Sequence, residues 1–229
     1  MWDTNPSENL RKQLKRKVKM ASTKRRARFR IQRRLGVELP GLGKAGALER
    51  RPYPPGQHGN KRKKFSNYAL QLEEKQKVMF HYGLREKQLR RFIRDAQKGS
   101  ADKNWISQLA GRLELRIDNF VFRAGFAPSI MSARQMVSHG HVLVNGKKVT
   151  VGSVVVKLND TVTLREDSYQ HQCYLKAKQS PRLELPDYIE KSEVSGKDVA
   201  KVKSVPGTEY FPFPFSANLF AEYYSLRSV

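Results

Sequence analysis

Four polar residues are spaced for a helix: Arg112, Arg116, Asn119 and Arg123 fall at i, i+4, i+7 and i+11. An uninterrupted helix would hold them on one face, with Leu113, Ile117, Phe120, Val121 and Ala124 on the other. Arginine forks match phosphate oxygens in bidentate fashion and stack on bases, and asparagine reads sugar hydroxyls or base edges. A solvated helix face normally mixes charges of both signs. This stripe holds no carboxylate, and Arg134, Lys147 and Lys148 extend it. The chemistry indicated is recognition of structured RNA.

Other arrangements are weaker. His139 and His141 could ligate a metal, but no third ligand stands nearby and Cys173 is accompanied only by His171. No metal site is expected. Residues 41–46 match the dinucleotide pattern G-x-G-x-x-G, yet prolines at 40, 52, 54 and 55 replace the strand and helix that this pattern needs. The glycine-rich loop could still offer backbone amides to phosphate. No nucleophile motif, phosphate-binding lysine loop or carboxylate pair is present, so an enzyme is not expected and no cofactor is implied.

Composition agrees with a polyanionic partner. The 229 residues carry 45 Lys and Arg against 21 Asp and Glu, a net charge of +24, with a pI near 10.3 and a mean hydropathy of -0.67. An excess of this size favours nucleic acid or an anionic surface, and no stretch approaches the roughly 20 apolar residues of a membrane span. One cysteine excludes an internal disulfide and a paired-cysteine zinc framework. The first residues contain Asp3 and Glu8 and no apolar run, so neither a signal peptide nor a transit peptide is expected.

Charge is uneven along the chain. Residues 1–65 hold 20 Lys and Arg against 4 Asp and Glu, which predicts a basic arm that orders only against its partner. From Ser66, an adequate N-cap, helical spacing begins: Ala69, Leu72, Met79 and Tyr82 share a face, and Gly83 stops the helix. Leu89, Phe92, Ile93 and Ala96 mark a second helix ending at Gly99 and Ser100, Trp105 to Leu109 a third, and Leu113 to Ala124 a fourth ending at Gly125. Ser132 and Gln135 have capping-box spacing and predict another helix start, closed by Gly140. Then the period drops to two. Val142 and Val144 lead through Asn145 and Gly146, a type I′ hairpin pair, to Val149 and Val151. Val154, Val156 and Leu158 alternate, Asn159 and Asp160 turn, and Val162 and Leu164 alternate again. Beyond Glu166 the pattern weakens until an aromatic stretch from Tyr210 to Tyr224.

The segment from Arg116 to Val149 resembles, almost position for position, the RNA-binding module of the bacterial-type S-four family of small-subunit ribosomal proteins. Arg51 to Phe92, with its PPGQHG segment, is similar to the family's other diagnostic block, and Ala221 to Ser225 resembles its C-terminus. Enzymes and stress proteins that borrow only the small module would lack the PPGQHG segment. The resemblance implies an α+β fold: a mainly helical domain (66–112, completed by 166–229), an inserted helix-and-hairpin RNA-binding module (113–165), and the basic arm with an RNA-contacting loop (1–65). It carries over as candidate rRNA contacts Arg116, Asn119, Arg123, Arg134, Gln135, Ser138, His139, His141 and Asn145 of the module, with Gly56, Gln57 and His58 of the second block. Asp118 matches as an orienting acid. Arg112, Lys147, Lys148, Lys61, Arg62, Arg25, Arg26 and Arg33 join the candidates by charge.

Implied partners are the 5′ domain of small-subunit rRNA, ribosomal protein S-five with neighbouring small-subunit proteins, and messenger near its entry pore. A role in assembly and decoding accuracy follows, in the ribosome of a bacterial cytoplasm or, alternatively, a plastid stroma, without membrane or homo-oligomer. Some relatives hold zinc through N-terminal cysteines, which this chain lacks. The alternatives are an RNA-modifying enzyme and a free RNA regulator carrying the same module. If the stripe faces RNA, Arg116→Glu or Arg123→Glu should weaken binding without unfolding the chain.

Overall fold

In the computed structural model, which describes residues 27–225 other than 44, 45, 47, 62, 63, 99–104 and 195, the first described element is a helix at Arg28–Leu35 (α1). The candidates Arg25, Arg26 and Arg62, and the expected helix stop at Gly99 and Ser100, lie outside the described residues. The arm reading is corrected for residues 28–42. Leu35 and Leu39 are buried, and Ile31 and Leu42 pack against the same core. Apolar residues at fourfold spacing bury one side of a cationic helix, a pattern that charge averaged over 65 residues conceals. Gly41 has a φ of +78°, and a Cβ there would lie 2.7 Å from the Phe122 ring, so the chain after α1 must pass close over that ring.

Ser66 caps the next helix, Asn67–His81 (α2), its hydroxyl accepting from the Ala69 amide at 3.3 Å. Gly83 stops it at φ +59°, with the Leu84 amide donating to the Met79 carbonyl at 2.9 Å. The inward face differs from the expected one. Val78, His81 and Tyr82 are buried with Gln71, Glu74, Lys75 and Lys77, while Leu72 and Met79 are only half-buried. Pairing makes this tolerable: Lys75 meets Glu86 at 2.8 Å and Lys77 meets Glu74 at 2.6 Å. Glu86–Lys98 (α3) and Trp105–Glu114 (α4) follow.

The expected helix from Leu113 through Ala124 is two helices. α4 ends at Glu114, and Ile117–Arg123 (α5) begins afresh after an extended Arg116 (φ -61°, ψ 135°). Residues 154–156 cause the break. Val156 donates to the Leu115 carbonyl and Ile117 to the Val154 carbonyl, each at 2.8 Å, and Arg116 bridges Val155. Backbone groups engaged in this way cannot join a helical ladder. The alternating 154–158 segment accordingly makes an isolated bridge and no strand.

The N-cap of Ile130–Ser138 (α6) lies three residues before the expected one. Ser129 is the N-cap, accepting from the Ser132 amide at 3.1 Å. That start places Ile130, Ala133, Met136 and Val137, all buried, on one inward face. His139 caps its C-terminus and Gly140 follows at φ +76°, with amides of Gly140 and His141 returning to Val137 and Met136. Then come Val142–Val144 (β1) and Lys147–Val149 (β2), joined by Asn145 (φ 49°) and Gly146 (φ 76°), both left-handed as a type I′ turn requires.

Thr161–Leu164 (β3) pairs antiparallel with β1, Leu164 opposite Val142. Beyond it lie Gln172–Gln179 (α7), Ile189–Val194 (β4), Lys197–Val202 (β5) and Ala217–Ser225 (α8). The described strands form one antiparallel sheet in the order β2-β1-β3-β5-β4, so strand pairing runs through the expected boundary at residue 165. One core joins α5, α6 and the sheet with Tyr174 and Tyr188. The second joins α1 to α4 with Phe211, Phe213, Phe220, Tyr223 and Tyr224 of the aromatic tail.

Candidate nucleic-acid interface

The candidates separate into an interior group and an exposed one. Arg116, Asn119 and Arg123 are 3%, 1% and 6% exposed, so the expected stripe facing a partner is corrected: α5 turns these residues inward. Arg112 belongs to α4, across the break. The carboxylates missing from the stripe are supplied just beside it. Asp118 accepts Arg116 Nε and Nη2 at 3.0 and 2.7 Å and Arg134 Nε and Nη2 at 3.0 and 2.6 Å. Glu114, wholly buried, accepts Asn119 Nδ2 at 3.0 Å and the Tyr188 hydroxyl at 2.7 Å, pairs with Arg123 at 3.2 Å, and takes a hydrogen bond from Tyr82. Burial, and then the Glu114 carboxylate, push both phenols far above their ordinary range, which keeps them as donors. Burial opposes the Arg123 charge, but Glu114 outweighs it and holds the guanidinium protonated.

These contacts join the two cores. Arg134 on α6 also donates to the carbonyls of Tyr82 and Gly83 after α2, at 3.1 and 3.2 Å, and Arg123 donates to the Tyr210 carbonyl at 2.8 Å. Arg134 is a tether as much as a surface cation. Arg116→Glu and Arg123→Glu therefore act on the fold first, contrary to the expectation from spacing.

The exposed group lies on α6 and the hairpin that follows it. Gln135, Ser138 and His139 stand at i, i+3 and i+4 on the outward side of α6, and Asn145, Lys147 and Lys148 lie exposed on the hairpin. Asn145 is largely structural: its amide donates to Asp160 at 2.8 Å and accepts from the Thr161 amide at 2.9 Å. Lys148 lies across Gly140, where an added Cβ would come within 2.0 Å of its Cε, so the missing side chain lets a cation cross the C-terminus of α6.

His141, half-buried, meets the Ser168 hydroxyl at 2.9 Å. Its ring stands 6.1 Å from that of His139 and 5.6 Å from that of His171. Burial, then the charges of His171, Arg165, His139 and Lys148, lower the His141 pKa, so it resists protonation. Arg165 was not singled out by the sequence reading, and His171 only as the companion of Cys173, because they come from beyond the hairpin; the fold brings them beside His141. Among the described residues no three His, Cys, Asp or Glu side chains are placed to hold a metal ion, and no helix is long and apolar enough to cross a membrane.

A separate cationic region surrounds α1. Gly56, Gln57, His58 and Lys61 are exposed in consecutive turns. Arg33 is half-buried, its Nε donating to the carbonyls of Arg51 and Tyr53 at 3.2 and 3.0 Å.

Two family models match: the ribosomal protein S4/S9 N-terminal domain over residues 12–110 and the S4 domain over residues 115–162. The small ribosomal subunit protein uS4B of Bdellovibrio bacteriovorus is 58% identical over 200 residues, covering 87% of this chain and 96% of the relative. The chain belongs to the uS4 family. The uS4 proteins of Methylobacillus flagellatus and Nostoc punctiforme are each 44% identical over 202 residues, covering 87% and 88% of this chain and 96% of each relative. Within this uS4-family chain the S4-domain match begins at Leu115, where the helix breaks, and ends inside β3 at Val162. It thus contains α5, α6 and the hairpin, while His171, Arg165 and β5 lie beyond it.

Proposed function

We propose that the chain is a structural constituent of the small ribosomal subunit and binds folded rRNA through the outward side of α6, the β1–β2 hairpin and the histidines beside it. The observation that carries this reading is the run of exposed Gln135, Ser138, His139, Lys147 and Lys148 together with His141 and His171, on a module joined rigidly to a second core by Asp118 and Glu114. Hydrogen-bonding and cationic groups held by a scaffold read the shape, phosphates and 2′-hydroxyls of a structured RNA. The finer reading is a primary contact with the 5′ domain of small-subunit rRNA, early in assembly, with the basic residues around α1 and 56–61 as a second contact. Ribosomal protein S-five, messenger at its entry and an influence on accuracy belong to the same reading, as do a ribosomal location in the cytoplasm and a division of labour between residues 113–165 and the flanking segments.

Binding to a 5′-domain transcript, followed by filter retention across a salt series, tests this. Affinity is expected to fall steeply with salt, and Lys147→Ala with Lys148→Ala should lower the log–log slope by roughly 1.4 to 1.8, since each phosphate contact contributes about 0.7 to 0.9. An affinity indifferent to salt would defeat the proposal. A slope that the double variant leaves unchanged would remove the hairpin from the interface.

A further inference from the structure

We infer that α1 and the 51–56 loop form a track for unpaired RNA, with Tyr53 as the platform for one base. The inference rests on the RNA-binding reading above and deepens it.

A cleft of about 540 Å³ is lined by Arg30, Arg33, Arg51, Tyr53, Pro55 and Gly56, a size suited to one nucleotide. A second, of about 450 Å³, shares Arg30 and Pro55 with it and includes Arg34 and Phe80. Both are open, and among the described residues no carboxylate lines either. The ligand is therefore anionic.

Its shape follows from the rings. Arg33, fixed by its two carbonyl acceptors, holds its guanidinium 5.2 Å from the Tyr53 ring centroid. Arg34 stands 5.8 Å from the Phe80 centroid and donates to Gln76. Each cleft thus carries an arginine–aromatic pair, the kind of surface on which a base stacks without sequence preference. Arg30 is exposed between them and lines both, placed to meet the phosphate that links two neighbouring nucleotides. Arg51 is exposed at the outer wall. Gly56, at φ +116° with open space where a side chain would be, leaves the strand room to enter. Two clefts sharing one cation favour a continuous strand over a free nucleotide. Bases stacked inside a duplex cannot reach Tyr53, so the strand is unpaired.

The test uses the full chain and fluorescent hexauridylate, with a short RNA duplex as the comparison. Tyr53→Leu is expected to weaken hexauridylate binding about tenfold, Tyr53→Phe to stay within about twofold of the unaltered chain, and duplex binding to change little in either. Equal loss for hexauridylate and duplex, or none for hexauridylate, overturns the track. Because Tyr53→Leu could disturb the loop, thiouridine crosslinking of the unaltered chain is the second measurement: crosslinked peptides containing Tyr53 or Phe80 support the track, and crosslinks confined to other segments overturn it. A chain that binds the 5′-domain transcript normally while failing these tests loses only this inference; a chain that binds no rRNA loses the reading beneath it. In assembled small subunits, thiouridine placed in rRNA or in bound messenger identifies which strand occupies the track.

Discussion

Asp118→Ala is expected to lower the free energy of unfolding by about 3–5 kcal/mol, the usual result of removing one partner from a buried charge cluster. Asp118 is 1% exposed and accepts Arg116 in bidentate fashion, while two nitrogens of Arg134 donate to its Oδ2. Without it, Arg116 keeps, among the described residues, only the Phe92 ring at 5.3 Å and the Gly152 carbonyl at 3.4 Å, while being 3% exposed itself. Arg134 loses the anchor that aims it at the chain after α2, so the junction between the cores loosens as well. Midpoints of urea unfolding for the unaltered chain, Asp118→Asn and Asp118→Ala measure this, with Asn intermediate because one acceptor oxygen survives. A loss below about 1 kcal/mol for Asp118→Ala would show that Arg116 is adequately held without it. By the same reasoning Arg123→Glu, which sets a second carboxylate against Glu114, is expected to abolish cooperative unfolding.

Acid should unfold the chain through His81. The residue is 1% exposed, packed between Tyr82 and Phe213, and neither ring nitrogen has a hydrogen-bond partner among the described residues. Burial, then the Arg123 charge, lower its pKa from 6.5 to about 3. The unfolded chain takes this proton near pH 6.5, whereas the folded chain refuses it until near pH 3. Acidification across that window therefore favours the unfolded state by about 1.4 kcal/mol per pH unit, or roughly 2.7 kcal/mol by pH 4.5. Above pH 6.5 both states hold a neutral imidazole and this contribution no longer changes. His81→Phe replaces the imidazole with a ring that needs no partner, so its unfolding midpoint should respond less to acid by that amount. If the two chains lose stability in parallel between pH 7.5 and 4.5, the acid sensitivity resides elsewhere, in the buried carboxylates.

Local rules made much of the fold legible. The Ser66 cap, the left-handed stops at Gly83 and Gly140 and the type I′ hairpin at Asn145 and Gly146 each depend on a few adjacent residues, and each is present in the structure. Strand β3 was legible for the same reason, because alternation at Val162 and Leu164 is a local pattern. Family membership was legible in the segments 51–92 and 116–149. Misreadings arose where a distant segment competes for backbone or for charge. Periodicity ran unbroken through Leu115 and Arg116 because apolar spacing cannot register that residues 154–156 take their hydrogen bonds. Strands β4 and β5, with Glu, Lys, Ser and Asp among their residues, carry no clean alternation and are specified by pairing, β5 with β3 and β4 with β5.

The candidate interface divides in the same manner. Charge and residue type pointed to a cationic chain with a polyanionic partner, and the resemblance carried over the residues on α6 and the hairpin as candidates. Which of them face outward was settled only by packing. Arg116, Asn119 and Arg123 have the composition of a contact surface, yet Glu114 and Asp118, adjacent in sequence, draw them inside, since a buried carboxylate must find cations and donors. His171, Arg165 and the clefts around Tyr53 exist as sites only through the approach of segments far apart along the chain, for which no spacing rule has a term.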